Sequence, residues 1–189
     1  MSQARKLIYA FGVSLDGYFA GPDGEIDWAT PNEELLRFHN QQTASLAANL
    51  CGRGLYEDMK PWEDRVGDPS VTGLAQEFAR IWKQQTKIVF SDTLDAVDGN
   101  ARLVRGDAVR EVRRLRSEPG ADLGVGGARL AASLITADLV DEYRLFINPV
   151  LVGGGTPCFP PLQQRLQLEL LESRTFGSEV VYLRYGRLR

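Results

Sequence analysis

Apolar residues between positions 6 and 13 fall on both alternating faces, with Leu7, Tyr9, Phe11 and Val13 set against Ile8 and Ala10. This pattern predicts a central strand covered on both sides of its sheet. The loop that follows, residues 14–28, is rich in glycine yet keeps Tyr18, Phe19, Ile26 and Trp28. A long loop that holds aromatics is expected to fold over either the core or a flat ligand. Thr30-Pro31-Asn32-Glu33 then reads as a capping box with proline at the first helical position, and Leu35, His39, Gln42, Leu46 and Leu50 continue at helical spacing. Residues 50–57 read as a short strand that breaks at glycine before a weakly helical turn. A second helix is expected over 71–85 with Leu74, Phe78, Ile81 and Trp82 inward. Residues 87–91 form a buried strand ended by Asp92 and Thr93, and 101–105 another. The third helix, 107–117, places Val109, Val112 and Leu115 on one face and Arg110, Arg113, Arg114 and Arg116 elsewhere, as a solvated surface.

An apolar strand leads into Asp122-Leu-Gly-Val-Gly-Gly-Ala-Arg-Leu130, and a helix over 128–137 leads out of it. Glycines at a strand-to-helix turn let the backbone approach a ligand and leave the first helical N–H groups free, which suits a phosphate. The same glycines also serve a tight βα turn with no ligand. A Rossmann fingerprint fails on spacing, because Arg129 stands where the third glycine would be. Residues 141–152 read as a long strand running into a Gly/Pro-rich segment at 153–161, and 166–176 and 179–188 as two alternating strands joined across Gly177-Ser178. Strand-helix alternation with a terminal hairpin implies an α/β domain whose mostly parallel sheet acquires an antiparallel edge.

A length of 189 residues at 43% hydrophobic content fits a single domain over the whole chain. A net charge of −3 provides no field for nucleic acid or an anionic membrane, so the expected partner is a small-molecule substrate. No signal peptide or apolar span is evident, and a cytoplasmic location is expected. Cys51, Cys158 and the single histidine, His39, assemble neither a zinc site nor a disulfide framework. His39 itself reads as a packed or rim residue of its helix.

Several motifs in this order resemble the dihydrofolate reductase-like superfamily, and within it the reductase domain of the riboflavin-biosynthesis deaminase/reductase and its stand-alone relatives. They are Ser14-Leu-Asp-Gly-Tyr-Phe-Ala20, Gly52-Arg53, Ile88-Val-Phe-Ser91-Asp-Thr-Leu, Gly126-Gly-Ala-Arg-Leu130 and Pro149-Val-Leu-Val-Gly-Gly-Gly-Thr-Pro157. The resemblance implies an eight-stranded, mostly parallel mixed sheet flanked by helices, NADPH along the strand ends, and hydride transfer to a conjugated heterocycle such as an aminouracil or a pterin. It places Gly12 and Phe19 beside the nicotinamide, Gly52, Arg53, Gly54 and Leu55 at the phosphates, Ser91, Asp92 and Thr93 by the adenosine ribose, and Gly126, Gly127, Ala128, Arg129 and Leu130 at the pyrophosphate. Arg53 also reads as a surface ion-pair partner, and Phe19 as plain core.

At the substrate end the resemblance points to Glu33, Asp16 and Trp28. Glu33 has the spacing of the folate reductases' proton-guiding carboxylate, but a helix cap explains it equally. Asp16 also reads as a turn residue before Gly17. Asp92, as a carboxylate near the adenosine 2′-position, is expected to reduce the preference for NADPH and leave NADH possible, unless it is turned to solvent as a turn residue. The zinc-deaminase signature is absent, so the resemblance is to the reductase half alone. The other open function is a non-catalytic dinucleotide-binding or ligand-sensing module. A homodimer is expected from the apolar terminal strands around Leu168 and Val180.

Overall fold

The structure, a computed structural model, describes residues 4–189. β1 (Leu7–Ser14) leads through the short β2 (Tyr18–Ala20) and a 3-10 turn (Asp27–Ala29) to α1 (Glu33–Ala44). β3 (Ala48–Gly52) runs directly into α2 (Arg53–Met59), followed by α3 (Pro61–Asp64), α4 (Gly73–Gln84) and β4 (Thr86–Phe90). Next come β5 (Ala101–Val104), α5 (Ala108–Ser117), β6 (Leu123–Gly126) and α6 (Ala128–Thr136). The chain closes with β7 (Glu142–Asn148), β8 (Thr156–Pro157), β9 (Gln167–Thr175) and β10 (Val181–Leu188). β2 and β8 pair by themselves, and the other eight strands form one sheet in the order β5-β4-β3-β6-β1-β7-β10-β9. Pairing is parallel from β5 through β7, whereas β10 runs antiparallel to both β7 and β9. The α/β alternation and the antiparallel terminal edge expected from the sequence are both present.

The two faces of the sheet are packed differently. Leu7, Tyr9, Phe11 and Val13 of β1 join Leu50, Leu123 and Val125 beneath α5 and α6 in the main core. Burial of each large apolar side chain there contributes about 1.5–3 kcal/mol. On the opposite face, Leu35 of α1 packs with Phe146, Phe176, Val180 and Tyr182, and a separate group unites Cys51, Tyr56, Trp82 and Val89 under α2 and α4. Buried Asn40 ties α1 to α4 by donating to the Leu74 carbonyl at 3.0 Å and to Glu77 at 2.9 Å.

Several local expectations are corrected. The capping box does not form, because the Thr30 hydroxyl donates to the Asp27 carbonyl at 2.8 Å and closes the 3-10 turn. Asn32 is the cap instead, its side chain accepting from the Leu35 N–H, so Pro31 lies before the helix and Glu33 is its first residue. By contrast, the short strand expected to break at glycine before a helical turn is present, since β3 ends at Gly52 and α2 begins at Arg53. In α4 the fully buried face is Gln76, Ala79 and Trp82, while Leu74, Phe78 and Ile81 are half-buried. Of the four arginines of α5, Arg116 is not solvated, since it forks onto Asp141 at 2.7 and 2.8 Å. β7 stops at Asn148, where Pro149 has no N–H to continue the ladder. The terminal hairpin turns through residues 177–179, with the left-handed conformation taken by Glu179 at φ 64° rather than by glycine. β1 is not fully covered, because Ala10 is exposed in the middle of this central strand.

Lys87, completely buried in β4, meets Glu63 of α3 at 2.6 Å and donates to the Trp82 carbonyl at 2.9 Å. Removing one member of such a pair strands the other's charge, which costs about 3–5 kcal/mol, whereas exchanging both for apolar residues is close to neutral. Glu63→Ala should therefore lower the urea midpoint markedly, and Lys87→Met with Glu63→Met should lower it much less.

Candidate functional site

A cavity of about 280 Å³ lies between the sheet and α1. Its floor is set by strand register, which puts Ile8 beside Gly124 and Gly12 beside Phe146 on the α1 side of the sheet. Ala10, Gly12, Gly124 and Gly126 all line this floor. Protein interiors are close-packed, so four positions without bulk beneath one helix leave room, part of which the side chains of Leu46, Asn49 and Leu55 occupy. At two of them an added side chain would displace the tips of neighbouring side chains. A Cβ on Gly124 would fall 2.6 Å from the Asn49 side-chain oxygen, and one on Gly126 would fall 2.3 Å from Leu55 Cδ2. The space suits a small ring system.

The roof of the cavity is the inward face of α1, with His39, Gln42 and Thr43, continued by Leu46 just beyond the helix. Arg144 of β7 reaches it from the side, ion-paired to Glu142 at 2.7 Å and donating to the Gln42 side-chain oxygen. His39 lies against Phe146 with ring centroids 4.3 Å apart, and burial pushes its pKa down to about 4. The imidazole is therefore neutral near pH 7. No carboxylate lines the cavity among the described residues.

The predicted cofactor segments converge at the carboxyl ends of β3, β6 and β4, the usual ligand edge of an open α/β sheet. Gly127 caps α6 at φ +89° with no side-chain cap, and a Cβ there would lie 3.6 Å from the Gly52 nitrogen and 3.8 Å from Leu55 Cβ. Gly52 in turn faces Leu130. Arg53 Nη1 donates to Thr93 Oγ1 at 3.0 Å, and Ser91 Oγ accepts from the Thr93 and Leu94 N–H groups. Arg53 also pairs with Glu57 at 2.9 Å, but both side chains are about half exposed, so this pair contributes little and can be exchanged. Open space surrounds Gly54, Ala128 opens α6, and Arg129 is exposed on its first turn. Uncapped helical N–H groups, a half-exposed guanidinium and two hydroxyls thus share one rim, a donor set that fits a dinucleotide's phosphates and ribose. Gly12, Leu55 and Gly126 line the cavity as well, which makes it continuous with this rim.

Other predicted residues lie elsewhere. Glu33 is exposed at the start of α1 and is not part of the cavity wall. The Asp16 carboxylate accepts from Ser14 Oγ at 2.6 Å, from the Gly153 N–H at 2.8 Å and from the Val152 N–H at 3.2 Å. These bonds, the serine hydroxyl foremost, hold its pKa below the usual carboxylate value and tie together the loops after β1 and β7. Phe19 is half-buried against the main core. Trp28 lies in the 3-10 turn, its indole N–H buried without an acceptor among the described residues, while the adjacent Ala29 packs over Gly12. Asp92 accepts from the Gly106 N–H at 2.8 Å, as a turn residue does. Sequence reasoning did not assign Gln42 or Arg144 to a site and read His39 only as packed or rim. The available signal was two polar residues on the inward stripe Leu35-His39-Gln42-Leu46.

Sheet order, crossovers and this rim define a dihydrofolate reductase-like α/β protein. The chain belongs to the RibD C-terminal domain family, whose model matches residues 5–182. It is 34% identical to YyaP of Bacillus subtilis over 96% of this chain and 94% of that one, and 29% identical to YwjB of the same organism over 97% and 98%. Among solved structures, a Shewanella sp. PV-4 protein named for riboflavin biosynthesis superposes with a TM-score of 0.77 at 22% identity, covering both chains fully. The Thermotoga maritima diaminohydroxyphosphoribosylaminopyrimidine deaminase/5-amino-6-(5-phosphoribosylamino)uracil reductase gives 0.69 at 15% identity, with 98% of this chain matching 57% of that one. The Enterococcus faecalis dihydrofolate reductase, complexed with NADP(H), gives 0.67 at 16% identity over the whole of both chains.

The neutral His39 makes stability acid-sensitive. Its folded pKa lies below the unfolded value, so the unfolded state binds more protons between the two. The stabilisation is complete above about pH 6.5 and is lost as the pH falls toward 4. Between pH 7.5 and 4.5 the wild type should lose about 2–3 kcal/mol more unfolding free energy than His39→Phe, as read by urea titration at both pH values.

Proposed function

We propose that this protein is a reductase that uses NADPH to deliver hydride to a small conjugated heterocycle, aminouracil-like in preference to pterin-like. The observation that carries this reading is the continuity of the cavity with the phosphate-type rim through Gly12, Leu55 and Gly126. When bound, the reduced nicotinamide supplies the hydride, and the protein supplies position and electrostatics. Arg53, Thr93 and the free N–H groups at the start of α6 hold the dinucleotide's anionic groups. Gly12, having no side chain, leaves the floor at the end of β1 low enough for two flat rings to approach. α1 and Phe146 shield the reacting ring from water. A wall of amide, imidazole and guanidinium groups without a carboxylate favours a ring edge that presents carbonyl oxygens over one that must be protonated by an acid.

Two readings of the cofactor follow from the rim. Arg53→Ala removes a charge-assisted phosphate contact from an exposed position and should weaken NADPH binding by about 1–3 kcal/mol in titration calorimetry, with the fold intact. Because Asp92 is bonded to Gly106, Asp92→Asn should leave the ratio of NADPH to NADH affinities unchanged. A direct test of the activity is NADPH oxidation with aminouracil and pterin substrates in parallel. Tight NADPH binding with no turnover of either would instead mark a ligand-sensing module.

We also propose that the protein works in the cytoplasm, as a homodimer. No helix among the described residues is long and apolar enough to cross a membrane. β9 is the edge strand of the sheet and exposes Leu168, Leu170 and Leu171, with Leu188 of β10 beside them. An apolar edge of this kind is normally covered, and a second copy of the same edge is self-complementary. Light scattering should report twice the chain mass at micromolar concentration, and Leu170→Lys should return it to the monomer value.

A further inference from the structure

The reaction proposed above uses the chain's single histidine only as one group of the cavity wall, yet its setting is unusual. His39 occupies a position on the inward stripe of α1 where an apolar residue would pack, between Leu35 and Leu46. Its ring is held against Phe146 at 4.3 Å and lines the cavity. A neutral imidazole carries one N–H donor and one acceptor nitrogen, and no hydrogen bond of the described residues engages either. Several of its polar neighbours in the cavity are, by contrast, already engaged. Arg144 is matched by Glu142 and donates to Gln42, while Asn49 donates to Gln85 at 2.7 Å. An imidazole whose nitrogens have no partner within the protein, on the wall of a cavity, stands open to a ligand that enters it.

We propose that His39 is a substrate-contacting residue that hydrogen-bonds the polar edge of the bound heterocycle, an adjacent ring carbonyl and N–H, with the Gln42–Arg144 pair fixing the neighbouring side of the cavity. This rests on reading the cavity as the substrate site. His39 acts as a positioned donor and acceptor, and Phe146 sets the plane of its ring. The ligand class is a neutral dioxo- or oxo-amino ring small enough for 280 Å³.

The experiment uses 5-fluorouracil as the probe on the whole chain, with and without saturating NADP⁺. Because His39 is the only histidine, its imidazole Cε1–H gives a single resonance. That resonance should shift saturably with the probe, and the probe's fluorine signal should report binding in the same titration. His39→Phe should bind the probe at least tenfold more weakly, and His39→Gln, which keeps a donor and an acceptor, should recover most of the loss. Urea midpoints of both variants separate a binding defect from a folding one. Unchanged probe affinity in His39→Phe, a static imidazole resonance while the probe binds, or no binding of the probe to the wild type would each overturn the proposal. NADPH affinity measured alongside tests the reductase reading separately, since its loss would sink that reading while a His39 response to the probe alone would stand.

Discussion

The absence of bulk at Ala10, Gly12, Gly124 and Gly126 is the constraint on which the rest of the site depends. These residues belong to two adjacent central strands and face the same helix, so α1 crosses above them with space beneath, while His39 and Gln42 reach Phe146 and Arg144 of β7 at the side. Close packing would draw the helix down if nothing resisted. Two supports resist it. At one end Leu35 and Phe38 rest on Phe146, Phe176 and Tyr182. At the other, buried Gln85 donates to the Thr43 and Leu46 carbonyls at 2.9 and 2.8 Å and pins the end of α1. The helix is thus held at both ends, and the space beneath its middle is the cavity.

The topology of the sheet then decides what the cavity opens onto. β6 follows β5 in the chain but inserts between β3 and β1 in space. This insertion brings the turn after β6 against the turn after β3, and both beside the end of β1. Arg53 spans from there to Thr93 after β4, which extends the rim along four strand ends. Asp16 performs the matching task on the other side of β1, where one carboxylate accepts from two backbone N–H groups of the loop after β7. Asp16, which the family resemblance places at the substrate end, thus fixes these loops and does not line the cavity.

Much of the fold was legible in local pattern because its causes are local. Alternation of apolar residues marks strands such as β1 and β10, the arginine-bearing stripe marks α5, and glycine before a helix marks the turn after β6. The misreadings fall where two local signals compete and tertiary contacts choose between them. Thr30 and Asn32 are both good caps, and the choice went to Asn32 once the 3-10 turn had engaged the threonine hydroxyl.

The sequence by itself determined the α/β order and the glycine turns after β3 and β6, because each depends on neighbours a few residues away. It also carried the family resemblance, which rests on the order of short motifs. Only the tertiary structure decided that Ala10, Gly12, Gly124 and Gly126 share one floor, and that His39 and Arg144 face each other's neighbourhood across it. Strand register is the physical reason. A shift of one residue in the pairing of β1 with β6 or β7 would turn every side chain to the opposite face, and no local pattern in the chain specifies which residue lies beside which.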